Sequence, residues 1–221
     1  VEVVEGDLTE PATLDKALKG CRGLFHVAAD YRLWAPDTAP MFKANVEGTR
    51  AIMLAAGDAG VERIVYTSSV ATLGLLPGDQ ASDEETPVGF EDMIGPYKQS
   101  KFLAEAEVRA LADSEGLAVV IVNPSMPLGP RDIKPTPTGR MIVEAASGKI
   151  PAYVDTGLNV VHVDDVAEGH LLAFDKGQAG ERYILGGENL SLKQILSTIA
   201  DITGGKAPGL RIPHNLIMPV A

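Results

Sequence analysis

Cysteine is nearly absent: Cys21 is the only one in 221 residues. No internal disulfide can form, so packing must supply the stability, and a reducing compartment such as the cytoplasm is expected. Long apolar runs are missing too. No stretch approaches the roughly 18 residues that suggest a bilayer span, and no basic-then-apolar leader is visible, so no membrane association is expected. Positive charge is scarce, with 19 Lys and Arg against 30 Asp and Glu, a net charge of −11. A surface of that sign repels phosphate backbones and excludes nucleic acid as a partner. It still allows a phosphorylated cofactor, which local amides and a few basic residues can hold. Metal-ligand spacing is also lacking. His26, His162 and His170 stand apart and His214 is remote, so no metal is predicted.

What is present is a repeating alternation. Strand-like apolar runs at 1–4, 23–28, 63–67 and 117–122 are separated by helical patterns at 11–19, 39–59 and 97–114. The runs are almost continuous Val, Ile, Leu and Phe, as expected where helices cover both faces of a parallel sheet. This predicts an α/β, doubly wound parallel sheet over residues 1–123. From 124 to 221 the texture changes. Residues 123–138 carry five prolines and read as loop, and shorter pieces follow at 139–147, 159–163, 166–175, 182–185 and 191–203. These predict a smaller lobe, interleaved with the end of the sheet. His162 reads as a packed, hydrogen-bonded core residue, and Asp165 with Glu168 as a helix-capping pair. The acidic run Asp83-Glu84-Glu85 reads as a solvated edge.

Ligands of such sheets bind beyond the carboxyl ends of the strands, so the residues there carry the interest. Tyr97 and Lys101 lie four apart at a predicted helix start, which puts both on one face. An ammonium beside a phenol favours the phenolate, so the pair can move a proton to or from a hydroxyl or carbonyl. Thr67, Ser68 and Ser69 leave a strand's carboxyl end, where a hydroxyl can donate to a substrate oxygen as charge develops. Asn45 sits inside an apolar helical pattern, either bonding nearby backbone or holding a water for the tyrosine and lysine.

Val65-Tyr66-Thr67-Ser68-Ser69, Tyr97-x-x-x-Lys101 and Asn45-Val46-x-Gly48-Thr49 together resemble the extended short-chain dehydrogenase/reductases, the NAD-dependent epimerase/dehydratase family. Gly6-Asp7-Leu8, His26-Val27-Ala28-Ala29, Asn123-Pro124-Ser125 and Val161-His162-Val163-Asp164-Asp165-Val166 extend the likeness over the chain. Loops at 30–35, 129–139 and 181–189 are similar to the branch of hopanoid-associated sugar epimerases, beside the dihydroflavonol-4-reductase-like proteins. The resemblance implies Tyr97 as acid/base, Lys101 on the nicotinamide ribose, Ser69 on the reacting oxygen and Asn45 in the proton relay. It implies NAD or NADP as cofactor, contacted by Asp7, Leu8, Ala28, Ala29, Thr67, Ser68, Tyr97, Lys101, Pro124 and Ser125.

The implied reaction is oxidoreduction or epimerisation of a sugar, nucleotide-linked, with Tyr31, Arg32, Trp34 and Arg131 facing the substrate. Lys134 is a further candidate for a substrate phosphate. Trp34 packed beneath its loop is an equally ordinary reading. An NADPH-dependent carbonyl reductase of dihydroflavonol-4-reductase type is the alternative, and a non-catalytic cofactor sensor a third. A homodimer is implied through the helices at 39–59 and 97–112. The family's Gly-x-x-Gly-x-x-Gly turn, which cradles the pyrophosphate, does not occur after any strand here. The chain therefore reads as a piece lacking the N-terminal glycine-rich βαβ unit.

Overall fold

A computed structural model describes residues 2–78, 80–133 and 135–213. In chain order the elements are α1 (Ala12–Leu18), β1 (Gly23–His26), α2 (Ala39–Phe42), a π-helical segment (Lys43–Glu47), α3 (Gly48–Asp58), β2 (Arg63–Thr67), α4 (Pro96–Glu115), β3 (Val119–Pro124) and β4 (Met126–Leu128). There follow α5 (Pro137–Ala146), β5 (Ala152–Val154), β6 (Gly157–His162), α6 (Val163–Lys176), β7 (Arg182–Leu185), β8 (Glu188–Ser191), α7 (Leu192–Thr203) and β9 (Leu210–Ile212). Two compact units divide them. One comprises the described residues up to Pro124 with Ala167–Leu185, the other Ser125–Val166 and the described residues from Gly186.

The first unit is built on a parallel sheet in the order β1-β2-β3-β7. All six residues of β3 are buried, which is why its sequence is apolar without alternation. Successive side chains still point to opposite faces. Ile64, Tyr66, Val119 and Ile121 join a core with Leu14, Met53, Ala104 and Val108 from α1, α3 and α4. Val65, Val120 and Val122 face the other way and pack with Ala173 of α6. Removing one methylene from this core, as in Ile121→Val, would cost about 0.5–1.5 kcal/mol. Gly48 lets α3 approach the loop before α1, since a Cβ there would lie 2.7 Å from Leu8 Cβ.

The second unit holds two small sheets. Strands β4, β6 and β8 form one, with β4 parallel and β8 antiparallel to β6, while β5 pairs in parallel with β9. Helix α7 opens on a capping box in which Ser191 and Gln194 satisfy each other's backbone N–H.

Several expectations need correction. Residues 2–4 form no strand, and Val1 lies outside the described residues, as does His214. A strand needs a neighbour for its backbone groups, and among the described residues this run has none; Val3 is 91% exposed. The helical pattern at 39–59 is interrupted by a π-helical segment centred on Asn45. The proline-rich stretch is not all loop, because Pro124 ends β3 and Pro127 lies in β4. A residue without an N–H is tolerated at a strand end and on an edge strand, which β4 is. Among the described residues no helix is long and apolar enough to cross a membrane.

Candidate active site

The carboxyl ends of β2 and β3 and the first turns of α4 converge on one polar cluster. After Thr67 the chain runs through Ser68 to Ser69, whose Oγ accepts the Ala71 N–H at 3.1 Å and starts a short 3-10 turn, Val70–Thr72. Gly95, at φ 86°, makes the abrupt entry into α4, and Pro96 takes the first helical position, where no N–H is needed. Tyr97 is thereby fixed in the first turn, Lys101 one turn on and Glu105 a turn further.

Lys101 is buried, at 3% exposure. Its Nζ donates to the Tyr66 hydroxyl at 3.1 Å and to the Thr67 carbonyl at 2.8 Å. Burial lowers its pKa to about 8, against the upward pull of the Glu105 carboxylate. The sequence predicts an ammonium favouring the Tyr97 phenolate. In this structure the ammonium is engaged by Tyr66 and Thr67, and burial holds the Tyr97 phenol above its ordinary range, with a hydrogen bond to Ser69 pulling the other way. Tyr97 is thus a protonated phenol at neutral pH, with Ser69 beside its hydroxyl.

Asn45 is fully engaged as a donor. Its Nδ2 reaches the Asp30 carbonyl and Ser100 Oγ, both at 2.9 Å, while Oδ1 accepts the Asp30 N–H at 2.7 Å. Ser100 Oγ in turn donates to the Tyr97 carbonyl. The π-helical turn therefore braces the start of α4 against the loop after β1. Such turns recur at functional sites.

Glu105 escaped the sequence reading. Buried at 4% exposure, it accepts from Ser68 Oγ at 2.5 Å, Thr72 Oγ1 at 2.9 Å and Asn123 Nδ2 at 3.1 Å, and pairs with Arg109 and Arg182 at 3.3 Å. Burial pushes its pKa up, but the Ser68, Thr72 and Asn123 bonds and the Arg109 charge prevail and hold it below the ordinary range. One carboxylate thus ties α4 to the ends of β2, β3 and β7. The available signal was the repeat of four that places residues 97, 101 and 105 on one face of α4. The acidic run is not merely solvated either, since Glu84 accepts the Arg182 Nε–H on its carbonyl and the Ile184 N–H on Oε1.

The other candidates are scattered. Ser68 uses its hydroxyl on Glu105 and its N–H on the Val122 carbonyl, while Thr67 Oγ1 pairs with His170 at 2.8 Å. Asp7 accepts from the N–H and hydroxyl of Thr9, and Leu8 packs on the core. Ala28 is exposed and Ala29 half-buried. Tyr31 and Trp34 are exposed, the latter at 75%, so Trp34 does not pack beneath its loop. Arg32 is gripped by both oxygens of Asp30. Pro124 is buried at the end of β3.

In the second unit, Ser125 Oγ is buried with no partner among the described residues, a polar group available to a ligand such as a carboxamide. Arg131 pairs there with Asp164 at 3.1 Å, and Lys134 lies outside the described residues. A cavity of about 400 Å³ in that unit is walled largely by Pro127, Leu128, Pro130, Ile142, Val143 and Val163. His162 is exposed, and its Nδ1 accepts the Asp164 N–H at 3.2 Å. It makes a side-chain bond at the start of α6, which begins two residues before Asp165, so Asp165 and Glu168 lie inside the helix and not at its cap.

The residues at hand fit part of a nicotinamide nucleotide. An ammonium has three N–H groups, and Tyr66 and Thr67 take two of those on Lys101, leaving a donor for a ribose hydroxyl. Among the described residues no glycine-rich turn leads from a strand into a helix, so they offer no such cradle for the pyrophosphate.

Comparison with known proteins completes the description. The model of the "NAD dependent epimerase/dehydratase family" matches residues 1–186. A Synechocystis sp. protein named "Putative dihydroflavonol 4-reductase" is 49% identical over 217 residues, which is 96% of this chain and 63% of that protein. "Sterol demethylase protein B" of Methylococcus capsulatus is 38% identical over 221 residues, 100% of this chain and 67% of that protein. The crystal structure of gox2253 superposes with a TM-score of 0.95 at 57% identity, covering 100% of this chain and 67% of that one. The chain thus spans roughly two thirds of each of these proteins, falling to 63% for the Synechocystis one.

Proposed function

The chain belongs to the NAD-dependent epimerase/dehydratase family, and from that membership we propose that it serves a nicotinamide-dependent reductase, converting a ketone on an apolar substrate to a secondary alcohol. The observation that carries the reading is the convergence of Ser69, Tyr97 and Lys101 at the carboxyl end of β2, with Tyr97 held as a protonated phenol. A phenol in that state is matched to giving a proton to a carbonyl oxygen. Ser69 would hold that oxygen, Lys101 would bind the nicotinamide ribose through its remaining N–H, and Asn45 would keep Tyr97 in place. Asp7, Leu8, Ala28, Ala29, Thr67, Pro124 and Ser125 would supply further contacts. When bound, NADH or NADPH supplies the hydride.

Reduction of an apolar ketone is preferred to epimerisation of a nucleotide-linked sugar on one ground. A diphosphate calls for a cationic clamp, and among the described residues the substrate-facing candidates Arg32 and Arg131 are both paired with carboxylates, Arg32 with Asp30 and Arg131 with Asp164. The apolar cavity of the second unit, and relatives whose names include a dihydroflavonol reductase and a sterol-processing protein, support the same substrate class. The test is to incubate the full-length protein with NADH or NADPH and panels of apolar ketones and nucleotide sugars. The reading expects ketone-dependent cofactor oxidation, one equivalent per alcohol formed. Epimer formation from a nucleotide sugar without net cofactor turnover would overturn it.

A further inference from the structure

Lys101 Nζ meets a second tyrosine, Tyr66, which the mechanism above leaves unused. Tyr66 is 1% exposed, its hydroxyl accepts from Lys101 at 3.1 Å, and its ring lies 4.7 Å from the same nitrogen. An ammonium only donates, so the Tyr66 hydroxyl is the acceptor in that bond and must place its own proton elsewhere. Thr49 is the neighbouring hydroxyl, and it pulls the Tyr66 pKa down against the larger upward effect of burial. Thr49 Oγ1 in turn lies 2.9 Å from His26 Nε2, in a ring 2% exposed and tilted against the Tyr66 ring at 5.5 Å. Burial, aided by the Lys101 charge, lowers the His26 pKa to about 4, so the ring is neutral and Nε2 can accept. Three buried polar side chains, Tyr66, Thr49 and His26, thus stand behind the Lys101 ammonium.

We propose that Tyr66, backed by Thr49 and His26, is a positioning residue that fixes the Lys101 ammonium against the Thr67 carbonyl at the carboxyl end of β2. A lysine is a flexible stem, and two acceptors on one strand, the side chain of Tyr66 and the backbone of Thr67, define where its charge stands. The other groups facing Lys101 are Glu105, one turn on, whose carboxylate favours the charged form, the neutral Tyr97 phenol of α4 and the neutral His26 ring of β1. Replacing the Tyr66 hydroxyl by hydrogen removes a hydrogen bond to the charged form in a buried setting and leaves those groups in place. The ammonium then gives up its proton more readily.

The proposal rests on Lys101 being functional, as read above, but its test observes the lysine itself, so it can fail while the reductase reading stands. Lysine is labelled with carbon-13 at Cε, and the Lys101 resonance is identified by its loss in Lys101→Arg. In the unaltered protein this resonance is expected to titrate near pH 8. In Tyr66→Phe the midpoint falls by about one pH unit or more, and in Thr49→Val it moves the same way by less. An unchanged midpoint in a folded Tyr66→Phe protein overturns the proposal. Should that variant fail to fold, Thr49→Val carries the test with the same two outcomes.

Discussion

The strand ends of the first unit and the proline-rich loop of the second each hold an arginine against a carboxylate, at 3.3 Å for Arg182 with Glu105 and 3.1 Å for Arg131 with Asp164. The distances barely differ, yet the settings do. Side-chain exposures are 15% and 5% in the first pair and 73% and 61% in the second. Water and salt screen the exposed pair, and holding two long side chains together costs entropy that offsets the attraction. The buried carboxylate has no such escape, and every partner it holds is part of its solvation. Distance alone therefore says little. The first region is an interlocked scaffold, and the second is an exposed loop whose ion pair adds little to stability.

The sharpest way to break this contrast is to remove the buried carboxylate. Glu105→Ala leaves two arginines, two hydroxyls and an amide facing a void, and is expected to cost about 3–5 kcal/mol of stability. Urea unfolding would measure it, and a loss below 1 kcal/mol would mean the cluster is not interlocked.

Acid is the next probe. His26 has a folded pKa of about 4 against an ordinary 6.5, so between those values the unfolded chain binds more protons. The stability it contributes is complete above pH 6.5 and lost as pH falls through 4, amounting to about 3 kcal/mol. His26→Gln should remove that slope from the unfolding free energy over the same window, and an undiminished slope would assign it to other groups.

Least should follow from Arg131→Ala, a change in stability within about 0.5 kcal/mol. A larger loss would show that the exposed loop is as rigid as the strand ends.

The same contrast explains what the sequence allowed to be read. Ser69, Tyr97 and Lys101 lie in local patterns, a strand end and a helix start, that are weak alone, and it is the order of several such motifs along the chain, resembling one family, that singles them out. The partners of those groups could not be named. Lys101 bonds Tyr66, 35 positions away, and Glu105 gathers Ser68, Thr72, Asn123 and Arg182 from separations of 18 to 77. The expected phenolate at Tyr97 gives way to a phenol that burial holds above its ordinary range, a matter of packing that spacing does not reveal. The π-helical turn at Asn45 keeps the composition of an ordinary helix, so periodicity passed over it. Residues 2–4 have the makings of a strand but no neighbour among the described residues to pair with. His162 follows an apolar run in sequence yet emerges at the end of β6 into solvent, a matter of where the strand stops.

The central claim is that Tyr97 transfers the proton while its neighbours hold the ligands. Its most direct test is Tyr97→Phe in the full-length protein, with nicotinamide-nucleotide affinity and turnover measured side by side. The account predicts affinity within about threefold of the unaltered protein and turnover lower by roughly 10²–10⁴. Turnover that survives the substitution would contradict it.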